Sequence, residues 1–142
     1  MNFFKNILIL TLSIMAFNYS FSQECSGLVE ICKNNLIKGN PKFLSDGQVY
    51  SILLNNEKAE FKTTFFGNST YRIAVTSGIE DDYVVFSVKD LDGNILFTNK
   101  DYGNSAHWDF KVPETLPVVI ETELDLDKKK AGCVVMLIGF IQ

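Results

Sequence analysis

The sequence has 142 residues, 17 acidic and 13 basic, with one histidine and a formal net charge of −4. Its only basic run is Lys128 to Lys130, so it lacks the concentrated positive face that phosphate backbones require, and no nucleic acid is expected as a partner. The length suits one domain able to bury roughly two-thirds of its unfolded surface, with no room for a second.

The first element read from the chain is a leader. Lys5 precedes an apolar core of eleven residues, Ile7 to Phe17, and small residues follow at Ser20 and Ser22. This is the layout of a secretory signal peptide, with cleavage expected after Ser22. The apolar core is too short to cross a bilayer as a helix, which takes about 20 residues. Cys25 does not read as a lipidated cysteine, because Gln23 and Glu24 stand where a small residue is needed. The expectation is a signal peptide over 1–22, a single domain over 23–142, no membrane span in the mature chain, and a location in the periplasm or outside the cell. Loss of Lys5 lowers the 13 basic residues to 12 against 17 acidic ones, a charge of −5.

In "CSGLVEICKNNLIKGNP" the residues Cys25, Leu28, Val29, Cys32 and Leu36 fall on one helical face, and Gly39, Asn40 and Pro41 end it. The spacing predicts a helix over 25–38. After the turn "SDGQ" at Ser45 to Gln48, the apolar period shortens toward two. Strands are predicted over 48–54, 59–66, 70–76, 82–89, 95–100, 107–112, 116–124 and 133–141. Eight short strands at this spacing imply a mainly antiparallel β-sandwich or barrel.

Alternation assigns faces to several of these strands. Trp108, Phe110 and Val112 are expected in the core, with His107, Asp109 and Lys111 in solvent. Val84, Phe86 and Val88 share one face; Val118, Ile120 and Leu124 point inward, with Glu121 and Glu123 outward. Asp92-Gly93, between Val88 and Ile95, marks a hairpin. Arg72, the single arginine, is expected on a strand surface beside an acid, and Lys128 to Lys130 in a solvated turn.

The closing stretch, "GCVVMLIGFIQ", behaves differently. As a strand its residues 133–141 cover about 30 Å, and both of its faces are apolar. Such a strand belongs in the middle of a sheet under a cover, and the N-terminal helix is the natural cover. It also carries Cys133. Cys25 and Cys32 lie about 10 Å apart along a continuous helix, beyond the roughly 7 Å between Cα atoms that a disulfide spans. The expected bridge therefore joins Cys133 to Cys25 (or Cys32), with Cys25 preferred because the helix start has more freedom to reach it.

Recognisable chemistry is sparse. A cysteine nucleophile needs a base, and the only histidine is expected on a solvent face. A carboxylate hydrolase needs two acids facing a cleft roughly 5 to 9 Å apart, whereas Glu121 and Glu123 fall side by side in solvent. The chain is therefore expected not to be an enzyme and to need no cofactor, a small exported hydrolase being the alternative. Asp90 and Asp92 in "DLDGN" are the calcium candidates, which would make a calcium-stabilised structural module. Calcium wants roughly six to eight oxygens, and the hairpin explains this pair without a metal. The better expectation is a protein or glycan partner held by "TNKDYGNSAHW", whose Asp101, Tyr102, Asn104 and His107 mix aromatic and polar groups on a loop set by a sandwich.

The succession "FLSDGQVY", "FKTTFFGNSTYRI", "VFSVKDLDGNILFTN", "WDFKV" and "GCVVMLIGF" resembles a group of uncharacterised exported proteins of Bacteroidota-type bacteria, over nearly the whole mature chain. More loosely, the strand pattern is similar to jelly-roll sandwiches of GOLD and pre-peptidase C-terminal type. That resemblance implies a jelly-roll-like fold and a non-catalytic accessory or interaction module, and it transfers no site residue.

Overall fold

The computed structural model describes residues 20–79 and 82–141, with side chains from residue 25 onward. The leader expected over 1–22 lies outside the described residues, apart from the backbone of its last three. Among the described residues one helix, α1 (Ser20–Ile37), precedes the strands β1 (Leu44–Ser45), β2 (Tyr50–Asn55), β3 (Ala59–Phe65), β4 (Ser69–Thr76), β5 (Val84–Lys89), β6 (Ile95–Thr98), β7 (His107–Val112), β8 (Leu116–Leu124) and β9 (Ala131–Ile141). A 3₁₀ turn, Asn99–Tyr102, follows β6.

Every pairing is antiparallel. One sheet runs β1-β9-β4-β7, with β2 also on β9; the other runs β3-β8-β5-β6. β1 and β2 are two halves of one edge strand. Leu44 lies opposite Phe140 and Tyr50 opposite Met136, so two extra residues bulge out between them, around Gly47 with φ 86°. Counted that way, each sheet has four strands and the chain crosses between them in jelly-roll order.

The alternation read from the sequence holds. Val84, Phe86, Val88, Val118, Ile120 and Leu124 enter the core between the sheets. Trp108 and Phe110 are half-buried against it, and Val112 is buried. β9 is central, as its two apolar faces require. Val134, Met136 and Ile138 face the opposite sheet, while Cys133, Val135 and Leu137 face α1. On the helix Leu28, Cys32 and Leu36, one turn apart, meet Ala74, Val135 and Leu137. Full burial of each leucine contributes about 1.5–3 kcal/mol.

The bridge is Cys25–Cys133, with Cα atoms 5.5 Å apart across 108 positions of sequence. Cys32 remains a buried thiol, donating to the carbonyls of Ala74 (3.3 Å) and Val135 (3.6 Å). Burial pushes its pKa up to about 12.

Several boundaries need correction, among them β2, which begins at Tyr50 rather than 48, and β9, which begins at Ala131 rather than 133. α1 starts at Ser20 and not at residue 25: Ser, Gln and Glu continue a helix without contributing the apolar period that defined its expected start. The strand expected over 95–100 stops at Thr98, because Asn99 turns its side chain into the core. The strand expected from Asp82 begins at Val84.

Arg72 is also corrected. It has its acid, Asp109, but is buried at 4% exposure rather than lying on the surface. Its Nε and Nη2 donate to the two Asp109 carboxylate oxygens at 2.6 and 2.9 Å. Nη1 donates to the carbonyls of Leu36 (3.1 Å) and Lys38 (2.6 Å) at the end of α1, where a helix leaves carbonyls unpaired. The guanidinium also sits 4.2 Å from the centre of the Phe43 ring.

Candidate functional site

A jelly roll leaves two open sides where the edge strands of its sheets face each other. Here β2 faces β3 on one side, and β6 faces β7 on the other. Tyr50 stacked on Phe61 closes the first, their ring centres 4.5 Å apart.

The β6–β7 side is closed by a larger aromatic group. Phe97 on β6 meets Trp108 and Phe110 on β7, both at 5.0 Å, the second edge-on. Tyr102 lies over this pair, 4.3 Å from Trp108 and 5.7 Å from Phe97, and is 55% exposed. Next to it, an apolar cleft of about 330 Å³ is walled by Phe65, Leu96, Phe97, Phe110 and Leu116, with Lys111, Glu114 and Thr115 among its polar residues.

Tyr102 is held in place from below. Asn99 is fully buried; its Oδ1 accepts from the Phe86 amide at 2.8 Å, and its Nδ2 donates to the carbonyls of Val84 (2.9 Å) and Ser105 (3.0 Å). Two of these bonds pin the 3₁₀ turn to β5 and the third ties it to the following loop, and Gly103, at φ 66°, ends it in the left-handed conformation. The Tyr102 ring is therefore carried on an anchored turn and rests on Phe97 and Trp108.

The four sequence candidates do not converge. Tyr102 and Asp101 are exposed on the turn. Asn104 is buried, its Nδ2 donating to the Asp82 carbonyl (3.1 Å) and the Asp125 carboxylate (2.8 Å), so it organises the loop and is not presented to solvent. His107 pairs with Ala74 and shares its face, the helix side of the sheet, away from Trp108. Sequence reasoning missed Phe97, Leu96 and Asn99. The signal for the last was present: Asn-x-Asp followed by Gly103 is turn chemistry.

The acidic candidates are engaged locally. Asp90 accepts from the amides of Asp92 (2.9 Å) and Asn94 (2.8 Å) and from the Asn94 side chain (2.8 Å), which holds its carboxyl below the usual range. Among the described residues, no three His, Cys, Asp or Glu side chains gather as a metal site. Glu121 is gripped by Lys89 (2.7 Å) and Lys58 (3.2 Å), and Lys58 also reaches Glu123 at 3.3 Å. Among the described residues no helix is long and apolar enough to cross a membrane.

Fold and site together define a class: an antiparallel jelly-roll β-sandwich with a helix stapled over one sheet and an aromatic platform on one open side. No protein-family model matches the chain, and no curated protein matches it.

Proposed function

We propose that this protein is an exported, non-catalytic β-sandwich module that binds a protein or glycan partner in the periplasm or at the cell surface, through its β6–β7 side. The observation that carries this reading is the Tyr102 ring, exposed yet packed against Phe97 and Trp108, with Phe97 also lining an apolar cleft. A rigid aromatic face loses little freedom when a sugar ring or an apolar side chain settles on it. The disulfide fits an oxidising compartment, in keeping with the leader expected over 1–22.

Trp108 is the only tryptophan and lies directly under Tyr102, so its emission reports on this side alone. Titration with soluble polysaccharides and with purified envelope proteins is expected to shift that emission. Tyr102→Ala should weaken any binding so found by about tenfold or more, while circular dichroism stays that of the parent. Ligands bound equally well by the parent, Tyr102→Ala and Leu96→Asp would remove the β6–β7 side from the proposal.

A further inference from the structure

Four strands form the edges of the two sheets, and three of them carry a device that discourages pairing with another chain. β3 bears Glu60 and Lys62, and β7 bears Asp109 and Lys111. β6 has only four residues, and its pairing with β5 is interrupted by a register shift at Val88/Lys89. These are the ways natural sheets blunt their edges. The β1–β2 edge has its bulge at Gly47, before β2 begins, and within β2 itself none of these devices occurs. Its six residues, YSILLN, are uncharged, and Ile52 and Leu53 are 44% and 51% exposed.

The hydrogen-bonding direction of β2 follows from its neighbours. Ile138 of β9 gives its carbonyl to the Asp46 amide on the β1 side, while on the far side the Val75 amide turns to Ala106 and leaves Ala74 facing β9 at Leu137. Even-numbered residues of β9 therefore turn their backbone groups toward β1 and β2. Tyr50, Ile52 and Leu54, opposite Met136, Val134 and Gly132, are taken up in that ladder. Ser51 and Leu53 turn their N–H and C=O groups outward.

We infer that β2 is the contact edge of a homodimer, in which two copies pair β2 antiparallel about a two-fold axis at Leu53. In that register Leu53 exchanges both backbone bonds with its own copy. Ser51 lies opposite Asn55, so polar meets polar, and the exposed Leu53 meets its own copy, while Ile52 lies opposite Leu54, whose side chain is already in the core. The strand carries no charge, so the two-fold brings no like charges together. An isologous contact uses up the edge it employs, and the other edges are blocked, so assembly stops at two copies. β7 is at the opposite edge of the same sheet, which leaves both β6–β7 sides facing outward.

Equilibrium sedimentation of the intact, disulfide-bonded protein at micromolar concentration tests this. The parent should sediment as a dimer. Leu53→Lys, which sets two ammonium groups opposite each other, should weaken dimerisation by about tenfold or more. Ser51→Pro should do the same, since it removes an outward N–H and no bond to β9. Leu96→Lys on β6 should remain dimeric. Hydrogen exchange at the Ser51 and Leu53 amides of the parent should slow as concentration rises, a readout that needs no variant. A monomeric parent with concentration-independent exchange overturns the inference and leaves the edge to a strand of another protein. A parent larger than a dimer overturns it too, as do folded Leu53→Lys and Ser51→Pro variants that both stay dimeric.

Discussion

Arg72 joins three parts of the molecule at one buried cation: β7 through Asp109, the end of α1 through the Leu36 and Lys38 carbonyls, and Phe43 beyond it. Its side chain is 5% exposed and that of Asp109 43%, so the two partners are unequal. Asp109→Asn leaves the guanidinium buried and should cost about 3 kcal/mol, the low end for breaking a buried pair, because the amide oxygen still accepts one bond. Urea unfolding measures this, and a loss no larger than the roughly 1 kcal/mol of an exposed pair would refute it. Glu121 is the second case. Lys89 first and Lys58 next lower its pKa from an ordinary value of 4.5. The folded value lies below the unfolded one, so this stabilisation is present above about pH 4.5 and is lost as pH falls through the depressed value. Glu121→Gln should flatten the decline in melting temperature on that acid limb; a variant with the parent's acid profile would show that the two lysines stabilise nothing there. The sequence alternation placed Glu121 outward and Arg72 on a strand, but their partners lie 32 and 37 positions away, and only strand register reveals them.

α1 stays over β9 by three attachments: the disulfide, the Leu28–Cys32–Leu36 face, and the Arg72 bonds to its last carbonyls. The bridge closes a loop of 108 positions and contributes about 4–5 kcal/mol in the chain-entropy account. Cys25→Ser should lower the urea midpoint accordingly, yet keep the far-ultraviolet spectrum, since the other two attachments survive. Collapse of the fold in that variant would mean that the apolar face of α1 does not suffice to hold it. Cys32 in the same variant should resist thiol reagents until unfolding, because its thiol is buried and its pKa is raised to about 12. At this scale much was legible in the sequence. The helix face, the bridge to Cys133 and all eight expected strands rest on short-range periodicity and a length limit. β1 was not, since two residues carry no period, and the end of β6 was misplaced because Asn99 spends its amide on β5, a contact outside any local window.

At the level of the whole molecule, the sequence pointed to a sandwich and to a covered last strand, while strand order, and with it the pairing of β6 with β7 across an open side, depends on contacts between distant segments. That is why Tyr102 could be picked out but its support Phe97 could not, and why Asn99, though marked by turn chemistry, gave no sign of its bonds to β5. The central place of β9 also bears on how the chain acquires its shape. Among the described elements β9 follows every other strand in sequence, yet it lies between β4 and the β1–β2 edge, and α1, ahead of all the described strands, rests on it. Without β9 that sheet is reduced to the β4–β7 pair and α1 is left with its contacts to β4, Ala74 and Arg72 among them, so α1 and β9 must meet across the 108 positions between Cys25 and Cys133 before most of their contacts form. The entropy of closing so long a loop slows folding. Refolding therefore leaves β4 unpaired on one side and most of the α1 face uncovered until β9 slots into the gap.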